Sequence, residues 1–145
     1  MGARKRLAAE ARKEAKKNIY MARLVDNPTS PRKTRIMADV IRGKDVDYAL
    51  NVLKYSKKES AEKIFKLLKS AIANWQVKNE GVRLEDAQLY VKSIVVDSGR
   101  MLKRIRTAPQ GRANRIRKRS NHITIVIDDK TNINNNIVEE TENIK

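Results

Sequence analysis

Residues 93–127 read SIVVDSGRMLKRIRTAPQGRANRIRKRSNHITIVI, and the two ends of that stretch set the fold. Leu89 to Asp97 is rich in Val and Ile and reads as a strand. From Asn121 to Ile127, Ile123, Ile125 and Ile127 fall on one face while Thr124 and Val126 fall on the other, the alternation of a half-buried strand. More than twenty residues, Ser98 to Ser120, join the two strands. A compact domain seldom keeps a structureless loop of that length unless it is functional or disordered. Pro109-Gln110-Gly111 is a turn signal near its centre. Folding there sets Arg100–Arg106 against Arg112–Arg119 as the arms of a long hairpin, residues 97–122, whose seven- or eight-residue arms project roughly 25 Å at about 3.3 Å per residue.

Such a ribbon has no core of its own. An isolated two-stranded hairpin is marginal in water, and like charges on both arms oppose pairing. Residues 98–127 hold 9 basic side chains and no acidic one. An anion must surround them, and Arg, which outnumbers Lys here, donates two hydrogen bonds to phosphate and stacks on bases. Arg100, Lys103, Arg104, Arg106, Arg112, Arg115, Arg117, Lys118 and Arg119 are therefore the expected RNA contacts. Met101, Leu102, Ile105 and Ile116 interleave with them and suit apolar spots between nucleotides.

The rest of the chain fits this reading. The 145 residues carry a formal net charge of +16, far above the roughly 2–8 usual for a soluble domain. The excess is uneven: residues 1–35 carry net +8, residues 36–97 only +2, residues 98–127 +9 and residues 128–145 −3. A near-neutral middle with two basic arms is the electrostatic footprint of a nucleic-acid binder.

Residues 1–18 read as a basic extension with helix propensity but little to bury. Ile19 to Val25 reads as a strand ended by Asp26-Asn27-Pro28. Ser30 and Pro31 suit the start of a helix whose Ile36, Met37, Val40 and Ile41 share a face and which Gly43 stops. Arg32, Lys33 and Arg35 crowd its first turn, where cations are unfavourable without an external anion, so this is a second expected phosphate site. A second helix runs from about Val46 to Tyr55, with Asp45 as cap and Ala49, Leu50 and Leu53 inward. A third follows a capping box at Ser56-Lys57-Lys58-Glu59, with Ala61, Ile64, Phe65, Leu68, Ala71, Ile72 and Trp75 on one stripe down to about Lys78. Trp75 lies on that stripe and is expected in the core. The order β-α-α-α-β-β predicts an α+β domain over residues 19–128, a small three-stranded antiparallel sheet covered on one face by three helices. The Asn-rich, acidic residues 129–145 have little to bury and are expected to be disordered.

Other classes of function find little support. Without cysteine there are no disulfides and no thiolate metal sites. No cluster has metal spacing, there is no P-loop or GxGxxG, and no cofactor is expected. The single histidine, His122, has no catalytic partners in view, and Glu85-Asp86 is an isolated acidic pair. No apolar run approaches the roughly 20 residues that span a bilayer, and Met1 to Lys17 lacks the apolar stretch of a secretory signal. Aromatic residues, at 4%, are too few for base-stacking platforms of the RRM or OB-fold kind. The alternative reading is a DNA-binding regulator with Ser30–Tyr55 as a helix-turn-helix; it leaves the hairpin charge unused.

Four segments then carry a resemblance: SPRKTRIMADVIRGK (30–44), YALNVLKYSKKESAEKIFKLLKSAIANW (48–75), YVKSIVVDSG (90–99) and LKRIRTAPQGRANRIRKRSNHITIVI (102–127). Together they closely resemble the bacterial large-subunit ribosomal protein twenty-two family, over about residues 22–127. The resemblance implies the fold just read. It also implies a non-enzymatic protein of the cytoplasmic ribosome that binds large-subunit ribosomal RNA early in assembly, beside neighbouring ribosomal proteins, with neither a membrane nor a second copy as partner. In the family the hairpin reaches the peptide exit tunnel, so its tip here, Pro109, Gln110, Gly111 and Arg112, is expected to face the nascent peptide. Leu102-Lys103-Arg104 matches the arm segment linked in the family to macrolide sensitivity. This chain departs from the family at the tip, where Pro109-Gln110 stands in place of the commoner basic pair.

Overall fold

A computed structural model of the chain describes residues 2–17, 19–79, 82–83 and 87–130. The expected tail, save its first two residues, and the pair Glu85-Asp86 lie outside the described residues. An N-terminal helix α1 (Gly2–Lys17) precedes strand β1 (Tyr20–Asn27). Helices α2 (Pro31–Ile41), α3 (Val46–Tyr55) and α4 (Glu59–Lys78) follow, then the long strands β2 (Leu89–Thr107) and β3 (Ala113–Asp129). The domain is α+β with the expected order. Its sheet is antiparallel and three-stranded, with β3 central between β1 and β2.

The core lies between one face of the sheet and the helices. Ile123, Ile125 and Ile127, alternating along the central strand, are no more than 1% exposed. Against them lie Ile94 of β2 and the stripe Ala61, Ile64, Leu68, Ala71 and Trp75 of α4, all buried. Trp75 is a core residue as expected; its ring meets Tyr20 of β1 edge-on, with centroids 6.3 Å apart. Burying an aliphatic or aromatic side chain of this kind stabilises by about 1.5–3 kcal/mol, and this cluster anchors the inner, buried half of the long strands. Phe65 and Ile72, on the margin of the α4 stripe, are only partly covered.

Helix α2 turns a different face inward from the one its apolar spacing suggests. Pro31, Thr34, Met37, Ala38 and Ile41 are buried, while Ile36 and Val40 are 48% and 41% exposed. Two forces set this rotation. Thr34 finds hydroxyl and carbonyl partners inside, at Thr29 and Ser30, so its burial carries little penalty. Arg35 and Arg42 tie the helix to the outer edge of β2: Arg35 donates from Nε and Nη2 to the Val96 carbonyl at 3.2 and 2.9 Å, and Arg42 donates to Ile94 O at 3.2 Å. Gly43, at φ 70°, then lets the chain turn so that its own N–H donates to Val91 O and Lys44 O accepts from Val91 N–H, each at 2.9 Å. An edge strand with free N–H and C=O groups is a template for unwanted pairing; here its inner half is covered from α2 and the loop after it. On the far edge, Asn74 of α4 donates to the Met21 carbonyl at 3.0 Å.

The helix caps are plainer than the sequence suggests. Ser30 and Asp45 precede α2 and α3 without side-chain capping bonds, and Asp45 instead pairs with Lys130 at 2.5 Å. The capping box at Ser56 does not form. The residue before α4 is Lys58, and Ser56 Oγ only receives its N–H, at 3.5 Å, while lying 3.7 Å from Met37 Sδ.

Candidate nucleic-acid interface

Beyond Ser98, strands β2 and β3 leave the core and continue as a two-stranded ribbon. Its register pairs Met101 with Arg119, Leu102 with Lys118, Lys103 with Arg117, Arg104 with Ile116, Ile105 with Arg115, Arg106 with Asn114 and Thr107 with Ala113. This is the hairpin the sequence predicts, with one difference that explains how it closes. Like charges do not generally face each other. Four rungs set a cation against an apolar side chain, and Lys103 opposite Arg117 is the single cation–cation rung. The interleaved Met101, Leu102, Ile105 and Ile116 thus separate charge across the strands, since like charges directly opposite are the destabilising case.

Residues directly opposite share a face, and faces alternate along each strand. One face carries Lys103, Arg115, Arg117 and Arg119; the other carries Arg104, Arg106 and Lys118. All of these side chains are exposed. None of the nine cations from Arg100 to Arg119 makes an ion pair among the described residues. The ribbon is therefore positive on both sides, a shape that a polyanion satisfies only by lying on both sides of it.

The tip closes through Ala108 N–H donating to Arg112 O at 2.8 Å, with Gln110 and Gly111 both left-handed at φ 60° and 71°. A Cβ added at Gly111 would meet nothing within 4 Å, so glycine serves the backbone conformation there rather than packing. Pro109, Gln110, Gly111 and Arg112 are all exposed.

The neck of the ribbon is anchored by a buried polar knot. Asn121 Nδ2 donates to Thr29 O at 2.7 Å, to Thr29 Oγ1 at 2.9 Å and to Thr34 Oγ1 at 3.1 Å. Asn27 Nδ2 donates to Thr29 Oγ1 at 2.8 Å and to Asn121 Oδ1 at 3.1 Å. All four residues are at most 8% exposed. The knot joins the end of β1, the start of α2 and the root of the ribbon. Above it, pairing slips between Ser98 and Met101. Gly99 leaves room there for the Ser120 hydroxyl, since a Cβ would come within 2.6 Å of Ser120 Oγ and 3.2 Å of His122 Nε2 and displace it. Ser120 donates to Arg100 O, and His122 Nδ1 accepts the Asp26 N–H at 3.0 Å. His122 is thus a structural acceptor at the neck. Sequence reasoning did not single out this knot. The signal was available: Asn121 is in phase with Ile123, Ile125 and Ile127, and a polar side chain on an inward position needs partners.

The second basic cluster divides. Arg32 and Lys33 are exposed and make no hydrogen bond or ion pair among the described residues, which leaves them free for an anion. Arg35 is engaged with Val96 and acts first as a brace between α2 and β2. Helix α1 adds exposed Arg4, Lys5, Arg6, Arg12, Lys13 and Lys16, of which Arg6 pairs with Glu10 at 3.5 Å. Away from the ribbon, Lys92 and Asp128 form a cross-strand pair at 2.6 Å, and that hydrogen bond raises the ammonium pKa above its ordinary value. Among the described residues there is no group of carboxylates or histidines arranged to hold a metal, and no helix long and apolar enough to cross a membrane.

Comparison with known proteins supplies a second, independent line. The family described as ribosomal protein L22p/L17e matches residues 22–128. A protein of Christiangramia forsetii named large ribosomal subunit protein uL22 is 61% identical over 132 residues, covering 91% of this chain and 98% of its own length. Its namesake in Flavobacterium psychrophilum is 60% identical over 127 residues, 88% of this chain and 93% of its own. That of Bacteroides fragilis is 58% identical over 132 residues, 91% and 96% respectively.

Proposed function

Because the chain belongs to the ribosomal protein L22p/L17e family, we propose that it grips large-subunit ribosomal RNA by inserting its ribbon between RNA strands. It is a structural constituent of the large ribosomal subunit in the cytoplasm and not an enzyme. The observation that carries the RNA reading is the two-faced ribbon, with unpaired cations above and below and no carboxylate along its arms. A single flat RNA surface satisfies only one face. Two RNA segments, one on each face, satisfy both, and holding two segments together promotes assembly. Arg32 and Lys33, beside the buried knot at the ribbon's root, extend the interface to the globular body. The exposed tip, Pro109 to Arg112, then projects farthest from the core and lines the peptide exit tunnel, where it meets the nascent chain. The family resemblance and the tip's exposure support that placement.

The helix-turn-helix alternative gains nothing from the geometry, because Arg35 of its first helix is spent on the β2 edge. The test is the salt dependence of binding to large-subunit ribosomal RNA. Replacing Arg115, Arg117 and Arg119 together with alanine lowers the slope of log K against log salt by about 0.7–0.9 for each phosphate no longer neutralised, so by roughly two to three units. A slope unchanged by the triple substitution contradicts the ribbon interface.

A further inference from the structure

At the neck of the ribbon is a pocket of about 430 Å³, within the roughly 300–1,000 Å³ range of ligand sites. Pro28, from the loop after β1, and Leu102 of β2 line it together with Arg100, Lys118 and Arg119, of which Lys118 shares the ribbon face of Leu102. One further side chain does not fit a phosphate site: the carboxylate of Asp26, 69% exposed, also lines it. A carboxylate beside three cations would ordinarily pair with one of them. Asp26 does not. Its carboxylate lies 3.9 Å from His122 Nδ1, the atom that accepts the Asp26 N–H, and it makes no ion pair with Arg100, Lys118 or Arg119. The backbone holds it in place: Asp26 is left-handed at φ 53°, and its N–H is engaged by His122. An acceptor carried on a held backbone beside a cationic, partly apolar pocket suits a ligand with donors on one edge and acceptors on another.

The geometry points to an unstacked guanine as that ligand, a site that rests on the RNA reading above and deepens it. Guanine presents N1–H and the N2 amine side by side, which a single carboxylate accepts as a pair. Its O6 and N7 are acceptors, which Arg or Lys reads. The ring faces are apolar enough to lie between Pro28 and Leu102, as unstacked RNA bases lie against side chains in sequence-specific recognition. Phosphate alone gives no role to Asp26, and uracil offers one N–H where guanine offers two donors. Asp26 thus reads the donor edge of a base and a neighbouring cation its acceptor edge, within an interface whose remaining cations read the backbone.

The experiment compares large subunits isolated from cells making the native chain with subunits from cells making Asp26→Asn, using kethoxal, which modifies unpaired guanine at N1 and N2. Asparagine tolerates the left-handed backbone but cannot accept both donors. Asp26→Gly keeps the backbone free and removes the side chain altogether, in case the amide finds a substitute partner. The expected result is one guanine near the ribbon's neck that is shielded in native subunits. It becomes about five- to a hundredfold more reactive in both variants, the span expected when a bidentate base pairing is removed, while backbone protection along the ribbon is unchanged. If no guanine changes reactivity while the chain is present and the backbone remains protected, the guanine site is overturned and the RNA interface stands. If the variants and the native chain alike leave no ribbon protection on the RNA, the interface fails and the guanine site with it.

Discussion

Asn121 shows how much of this molecule depends on a single polar side chain. It is fully buried, and its amide donates to two threonines, one from the loop before α2 and one from α2 itself. Removing it leaves Thr29 O and the hydroxyls of Thr29 and Thr34 short of donors inside the protein, and a buried group left unsatisfied costs about 1–3 kcal/mol. Asn121→Ala is therefore expected to lower the unfolding free energy by about 2–4 kcal/mol, read from a shift in the urea midpoint of the full chain at unchanged slope. A loss within about 0.5 kcal/mol, the size of an ordinary surface substitution, would show that the knot is ornamental. Arg35 makes the complementary point. It reads in the sequence as one of three equivalent cations, yet its guanidinium is bound to Val96. Charge pattern alone does not separate a cation that braces the protein from one that faces its ligand, because the separation depends on which strand edge lies within reach.

Among the elements, the hairpin was the most legible and α2 the least, for physical reasons. A strand has period two, and Ile123, Ile125 and Ile127 admit only one face inward; Pro109-Gln110-Gly111 fixes the turn, and register follows from both. Helix α2 has apolar residues around much of its girth, so Ile36 and Val40 compete with Ala38 and Thr34 for the inward face. Partners distant in sequence decide the matter: Thr34 bonds into the knot, and Arg35 and Arg42 bond to β2. The capping box at Ser56 misled for a related reason, since α4 begins at Glu59 and the motif requires a start at Lys57. In the ribbon, composition suggests crowding, whereas the register places apolar side chains opposite four of the nine cations. Its one like-charged rung gives a sharp expectation. Lys103→Glu converts the pairing with Arg117 from repulsive to attractive, a change of about 0.2–1 kcal/mol. Cross-strand nuclear Overhauser effects in the free chain should strengthen, while affinity for large-subunit RNA should fall. Stronger RNA binding by this variant would mean that the Lys103 face does not meet phosphate.

For the whole molecule, stability and charge are arranged in opposition. The three helices and the inner half of the sheet form a conventional core, nearly neutral over residues 36–97. The ribbon beyond Ser98 buries almost nothing, carries nine cations and, as a two-stranded hairpin with no core, is marginal without a partner. Net charge of +16 adds self-repulsion that a bound polyanion would relieve. On the proposed RNA reading, the body folds alone and the ribbon is held by its partner. Backbone hydrogen exchange of the full chain, alone and bound to large-subunit ribosomal RNA at about 0.15 M salt, tests this most directly. The predicted result is that residues 61–75 and 123–127 are protected in both states, whereas 101–107 and 113–119 exchange freely in the lone chain and slow by about a hundredfold or more on RNA. Equal protection of the ribbon with and without RNA would contradict the account.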